Sequence, residues 1–118
     1  LHHKLCHVLG GTFDLPHAET HSVVLPHALA YNLEAAPEAR ARLARAVGDA
    51  DPALALHRLA VGLGAPTSLA ALGMPEAGVA EAARIAVTTP YPNPRPFVEA
   101  DIAALVGRAW AGSAPAAS

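Results

Sequence analysis

Cysteine, lysine and aromatic residues are nearly missing from this sequence. Its 118 residues include one cysteine, Cys6, and one lysine, Lys4, and aromatic residues make up 4% of the chain. A single cysteine excludes a disulfide within the chain and favours the reducing environment of the cytoplasm. Charged residues are also scarce, at 15%, and the formal net charge is -2. We therefore expect no nucleic-acid partner, because that would require a basic surface.

Long apolar runs and known cofactor motifs are missing as well. Although 53% of the residues are hydrophobic, no apolar run approaches the ~20 residues that span a bilayer, and no signal peptide is visible. We therefore expect no membrane partner. Gly10 and Gly11 follow a predicted helix and lack the third glycine of a dinucleotide-binding fingerprint. A P-loop, a serine nucleophile elbow and a CxxC motif are also missing.

What the sequence has is helical periodicity and abundant alanine, which favour an all-α domain. We predict seven helical segments and no strand. The first covers about residues 1–9 and ends at Gly10 and Gly11, and the second is capped by Asp14, kinked by Pro26 and continues to Tyr31. The later segments cover about residues 37–47, 51–63 with Asp51 as the cap, 75–87 and 98–110. Between them, Thr67 or Ser68 could cap a short turn that ends at Gly73.

The ends of the chain and one proline-rich stretch bear on its organisation. Residues 88–96 contain four prolines, which predicts an extended or turned connector. Residues 1–112 should form one helical domain, and 113–118 a flexible tail. Because the sequence begins at Leu1 and its one methionine is Met74, we expect this chain to be part of a longer protein.

Histidine is concentrated near the start: six of the seven histidines precede position 28. His3 and His7 are four residues apart, as are His17 and His21, so each pair should share one helix face. Two such helices joined by a short loop can bring their histidines to one site. His17 lies in a predicted first turn, where the free backbone N–H groups favour neutral imidazole. Buried structural histidines are the alternative interpretation.

Lys4 and Cys6 lie among these histidines. Lys4 could attract an anionic substrate, although simple solvation at the surface explains it equally well. Cys6 has no neighbouring base that would activate it as a nucleophile, so we expect it to be a small buried residue.

The stretch HHKLCHVLGGTFDLPHAETHSVVLPHALAYN resembles the helical C-terminal domain of the iron-containing alcohol dehydrogenase superfamily. The sequence of this stretch is most similar to the maleylacetate reductase branch, in which HHKLCHVLGG, LPHAETH and LPHALAYN are typical. The later pieces LAALGMPE and NPRP, and the Ala-Trp near the end, also look like that branch. The resemblance implies an all-α helical bundle that corresponds to part of this C-terminal domain, after an N-terminal α/β domain that binds NADH or NADPH.

The resemblance also implies roles for individual residues. Metal-dependent members hold iron or zinc with one aspartate and three histidines, of which two correspond to His3 and His17. His7 corresponds to a histidine of proton transfer. This chain departs from the metal-dependent pattern at Lys4, Ala18 and His21, and the reductase branch is regarded as working without a metal.

The implied activity is NAD(P)H-dependent reduction of the carbon–carbon double bond of maleylacetate, a small dicarboxylate, to 3-oxoadipate in the degradation of aromatic compounds. His3, His7 and His17 would be catalytic, and Lys4 and His21 would bind the substrate. The full-length enzyme would be a cytoplasmic homodimer. Two alternatives stay open: part of an iron- or zinc-dependent alcohol dehydrogenase, with His3 and His17 as metal ligands, and a free-standing helical module that binds a metal or a partner.

Overall fold

The computed structural model describes residues 2–88 and 98–116, with the side chains of His3 and His17 outside the description. Within these ranges the chain forms six α-helices and no strand, which confirms the all-α prediction. The helices are α1 (His2–Phe13), α2 (His17–Leu33), α3 (Pro37–Val47), α4 (Pro52–Gly62), α5 (Gly78–Thr88) and α6 (Glu99–Ala111).

Helix α2 lies at the centre and packs against α1, α3, α4 and α6. Its buried side chains recur at helical spacing, so one continuous stripe faces the core: Thr20, Val23, Val24, His27, Ala28 and Tyr31. Burying an aliphatic or aromatic side chain of this size typically stabilises a fold by about 1.5–3 kcal/mol. The central stripe therefore supports α2 in spite of Pro26, which lies inside the helix, and α2 continues past Tyr31 to Leu33.

Helix α1 continues through Gly10 and Gly11 to Phe13, so the predicted stop at the two glycines is wrong. The chain leaves the helix at Asp14, whose φ of 52° is left-handed and whose N–H donates to the Gly10 carbonyl at 3.1 Å. Packing explains the extra turn, because the ring of Phe13 lies against Gly78 at the start of α5. That contact offsets the ~1 kcal/mol that a glycine costs inside a helix.

Asp14 therefore ends α1 and does not cap α2, which corrects a second prediction. The residue before α2 is Pro16, whose side chain has no group that could accept a hydrogen bond. The Thr20 hydroxyl donates to the Pro16 carbonyl at 2.6 Å within the first turn. His17 is the first residue of the helix, as its predicted place in the first turn required.

Helices α3 and α4 form a pair beside α2. Gly48 ends α3 with a φ of 71°, and Asp51 caps α4, because its carboxylate accepts from the Leu54 N–H at 3.1 Å. Both boundaries agree with the sequence. The end of α4 and the residue after it carry apolar side chains that face outward: Leu59 and Leu63 are 58% and 75% exposed.

Helices α5 and α6 pack against each other and close the core. Helix α6 buries Ile102, Leu105, Val106 and Ala109, and the Trp110 indole N–H donates to the Met74 carbonyl at 2.8 Å.

Between residues 67 and 88 the chain agrees with one sequence prediction and departs from another. The short turn predicted to end at Gly73 is confirmed as hydrogen-bonded turns over residues 69–73, where the Ala71 N–H donates to the Ser68 hydroxyl at 3.3 Å. Helix α5 begins at Gly78, not at residue 75, after two turn hydrogen bonds to Pro75 and Glu76. The predicted connector lies almost entirely in 89–97, outside the described residues.

The last described residues fold back on α6, where the Arg108 guanidinium donates to the Ala116 carbonyl at 3.2 Å. None of the helices that the structure describes is long and apolar enough to cross a membrane.

Candidate active site at the junction of the first two helices

Helices α1 and α2 pack against each other. Convergence of the predicted pairs stays a prediction, because the side chains of His3 and His17 lie outside the described residues. The contact itself involves His2 and His21: their ring centroids are 4.8 Å apart, with the rings at 89°. His2 Nε2 lies 3.1 Å from the His21 carbonyl oxygen. Since a carbonyl oxygen only accepts, the His2 Nε2 carries a proton in this contact.

Cys6 completes a compact group with these two histidines. One ligand atom from each of His2, Cys6 and His21 lies within 4.8 Å of the other two. Cys6 is buried, as expected of a small core residue. Burial raises the pKa of the Cys6 thiol to about 11. The thiol is therefore protonated at neutral pH and is a poor nucleophile.

His7 lies one turn after His3 and is exposed. It lines an open recess of about 300 Å³ together with Cys6, Gly10, Gly11 and Leu15. A recess of this size suits a small molecule, and an imidazole at its wall can donate or accept a proton near neutral pH.

The remaining predicted site residues lie on the same two helices. His3 is on α1, between His2 and Lys4, and His17 begins α2, but their side chains lie outside the described residues. Lys4 is half-buried. The structure thus brings His7 and Cys6 to one recess and His21 against His2, and the roles of His3 and His17 stay predictions.

His2 was missed as a site residue. The available signal was its spacing, because His2 and Cys6 are four residues apart and so share a helix face. Only the packing of α2 on α1 places His21 beside them.

A second pair of histidines lies away from this junction. His27 is buried on α2, and its ring centroid is 6.3 Å from that of His57 on α4. Burial first, and then the positive charge of Arg108 and the neighbouring His57, lower the pKa of His27 to about 4. His27 is therefore neutral at pH 7 and belongs to the core.

Comparison with known proteins identifies the family. Residues 1–110 match the model of the C-terminal part of the Fe-containing alcohol dehydrogenase family. The chain belongs to this family. The resemblance drawn from the opening histidine-rich stretch is thereby confirmed, as is the correspondence of the bundle to the family's helical C-terminal domain.

Within the Fe-containing alcohol dehydrogenase family, the chain is similar to maleylacetate reductases. It is 62% identical over 115 residues to the maleylacetate reductase of Sphingobium indicum, an alignment that covers 98% of this chain and 33% of that protein. Identity to the Delftia acidovorans maleylacetate reductase is 56%, with the same coverage. The crystal structure of maleylacetate reductase from Agrobacterium tumefaciens matches 97% of this chain and 32% of its own, with a TM-score of 0.91 and 50% identity.

This chain therefore spans about a third of the length of the curated relatives that it matches.

Proposed function

We propose that this chain forms the helical wall of the active site of a maleylacetate reductase. The complete protein would reduce the carbon–carbon double bond of maleylacetate with NADH or NADPH and release 3-oxoadipate. One observation carries the proposal: an exposed imidazole, His7, lines an open recess at the α1–α2 junction of a chain that is 62% identical to a maleylacetate reductase. The α1–α2 junction supplies hydrogen-bond donors and the positive charge of Lys4 to a small dicarboxylate substrate.

The residues of the chain have distinct parts in this reaction. As the double bond is reduced, negative charge develops on the ketone oxygen of the substrate as an enolate. Hydrogen-bond donors aimed at that oxygen stabilise the transition state by about 3–4 kcal/mol each, and His3 and His17 are proposed as these donors. His7 is proposed to deliver the proton, because it borders the recess. Lys4 and His21 are proposed to bind the substrate carboxylates.

The nicotinamide cofactor would supply the hydride when bound. Gly10 and Gly11 lie inside helix α1, whereas the glycine-rich turn that holds a pyrophosphate lies between a strand and a helix. The cofactor would be held mainly by an N-terminal dinucleotide-binding domain, and this chain would face its reactive end.

Metal-dependent members of the family bind a metal ion, and this chain contains only some of the ligands for it. Imidazole nitrogens suit iron and zinc, and His3 and His17 would supply two of the four ligands implied by the resemblance. The aspartate and the third histidine would come from outside this chain. The relatives named above favour the reductase over a metal-dependent alcohol dehydrogenase, and the proposed roles of His3, His7 and His17 do not depend on a metal.

The same resemblance supports a homodimeric complete protein, and the single cysteine supports a cytoplasmic location. A helical domain of residues 1–112 with a short tail at 113–118 is part of this proposal.

The test is a steady-state assay of the complete protein as its source makes it, with maleylacetate and either NADH or NADPH. We expect maleylacetate-dependent oxidation of the cofactor. Lys4→Ala should raise KM at least about tenfold and change kcat much less, because an ion pair with a substrate carboxylate contributes to binding in the ground state and the transition state alike. Lys4→Arg keeps the positive charge and should restore most of the affinity.

Arg58→Ala removes an exposed positive charge on α4 and serves as the control for net charge. An unchanged KM in Lys4→Ala would reject the role of Lys4 alone. Failure of the unmodified protein to oxidise NADH or NADPH with maleylacetate would reject the proposed function, and oxidation of simple alcohols that requires added iron or zinc would favour the metal-dependent alternative.

A further inference from the structure

We propose that His2, Cys6 and His21 form a binding site for a thiophilic divalent cation of the Zn²⁺ class. The site is separate from the His3 and His17 positions that correspond to metal ligands in metal-dependent relatives. It does not rest on the proposed reductase activity, because its evidence is the geometry of three side chains. In the cation-bound protein His21 would be a ligand, which leaves the substrate carboxylates to Lys4.

The first argument is convergence. His2 and Cys6 lie one helical turn apart on α1, and His21 reaches them from α2, so that the three ligand atoms lie within 4.8 Å of one another. Tetrahedral zinc with Zn–N near 2.0 Å and Zn–S near 2.3 Å separates its ligand atoms by roughly 3.5 Å. Side-chain rotations that shorten the distances between the ligand atoms by about 1 Å would therefore bring these three atoms into the geometry of zinc binding.

The second argument is the chemistry of the donors. Two imidazoles and one thiolate are ligands that zinc prefers over magnesium or calcium, which take oxygen ligands. Three protein ligands leave the fourth tetrahedral position to water, as in zinc sites that are open to solvent. His2 and His21 are half-buried, which gives a cation access from the surface, while Cys6 lies beneath them.

The protonation balance of the site is simple. Zn²⁺ binds the Cys6 thiolate, and the thiol proton is released to water. The His2 ring already directs Nε2 to the His21 carbonyl oxygen at 3.1 Å, so its Nδ1 offers the lone pair to the cation. A histidine ligand held through its second nitrogen by a carbonyl oxygen is the usual arrangement in zinc sites.

The experiment uses the complete protein stripped of metal and titrated with Zn²⁺ or Co²⁺ alone. Calorimetry measures the stoichiometry and affinity for Zn²⁺, and absorption spectroscopy detects the charge-transfer band that Co²⁺ shows when a thiolate binds it. The variants are Cys6→Ala, Cys6→Ser, His2→Ala and His3→Ala, with His57→Ala as the control that removes a histidine elsewhere. Circular dichroism without metal verifies that each variant is folded, and His2→Ala is the mildest change because His2 is half-buried.

We expect a Co²⁺–thiolate band in the unmodified protein and in His57→Ala, and none in either Cys6 variant. Loss of a hydrogen-bonding partner of a metal ligand already weakens metal affinity about 10- to 100-fold, so loss of Cys6 or His2 should weaken Zn²⁺ binding by at least that factor. The site is rejected if Zn²⁺ does not bind or if bound Co²⁺ shows no thiolate band. It is also rejected if affinity is lost in His3→Ala but retained in the Cys6 variants, since the cation would then occupy the position of the family's metal.

Discussion

At the scale of single residues, His27 is a titratable group inside the hydrophobic core. It is 1% exposed, and neither ring nitrogen has a hydrogen-bond partner among the described residues. A protonated ring there would be desolvated and would face the positive charge of Arg108, which is why its pKa falls from 6.5 to about 4. Well above pH 6.5 the ring is neutral in both the folded and the unfolded chain, so this group adds no pH dependence to the stability there.

Below pH 6.5, protons bind His27 more readily in the unfolded chain than in the folded one. His27 should therefore lower the free energy of unfolding by about 3 kcal/mol between pH 7 and pH 4. The measurement is urea denaturation of the unmodified chain and of His27→Leu across this range. The other titratable groups are common to both proteins and largely cancel in the difference. A pH dependence that is identical in the two proteins would contradict this account of His27.

At the scale of secondary-structure elements, the contact between α1 and α5 sets where α1 ends. A Cβ atom added at Gly78 would lie 2.6 Å from Cε1 of Phe13 and 3.3 Å from Cε of Met74. Gly78→Ala should therefore lower the free energy of unfolding by about 1–3 kcal/mol, the usual cost of overpacking. This is opposite in sign to the gain of about 1 kcal/mol that alanine brings to an unobstructed helix position.

Gly62 at the end of α4 supplies the matched control, because a Cβ atom there would meet nothing within 4 Å and its φ is not left-handed. Chemical denaturation should show Gly62→Ala equal to or more stable than the unmodified chain. Adding Phe13→Leu to the Gly78→Ala variant should restore part of the lost free energy of unfolding, since the clashing ring is removed. A Gly78→Ala chain as stable as the Gly62→Ala chain would show that the ring moves aside freely.

At the scale of the whole molecule, the end of α4 and the residue after it expose apolar side chains to solvent. Leu59, Val61 and Leu63 are 58%, 57% and 75% exposed, and neighbouring exposed apolar side chains mark interaction surfaces. We expect the 118-residue chain to self-associate with increasing concentration. Sedimentation velocity should show this association, and Leu59→Glu combined with Leu63→Glu should reduce it, because a second copy could no longer bury this surface without burying charge.

Ala41→Glu adds charge at an exposed position on α3 and controls for net charge. A monomer at every concentration would contradict the prediction, and so would equal association of the α4 double variant and the unmodified chain.

Local sequence by itself determined the features that depend on short-range chemistry. Asp51 caps α4 because its carboxylate reaches an N–H three residues on, and α6 buries one face because Ile102, Leu105, Val106 and Ala109 recur at helical spacing. His3, His7, His17 and His21 could be assigned to two helix faces for the same reason, and the opening motif was specific enough to indicate the family.

Only the tertiary structure decided the features that depend on contacts between elements. Helix α1 passes its two glycines because Phe13 packs on Gly78, and Asp14 becomes the left-handed exit from that helix. The group of His2, Cys6 and His21 exists because α2 packs across α1. These contacts join residues distant in sequence, and their free energy outweighs local preferences such as the helix-breaking tendency of Gly10 and Gly11.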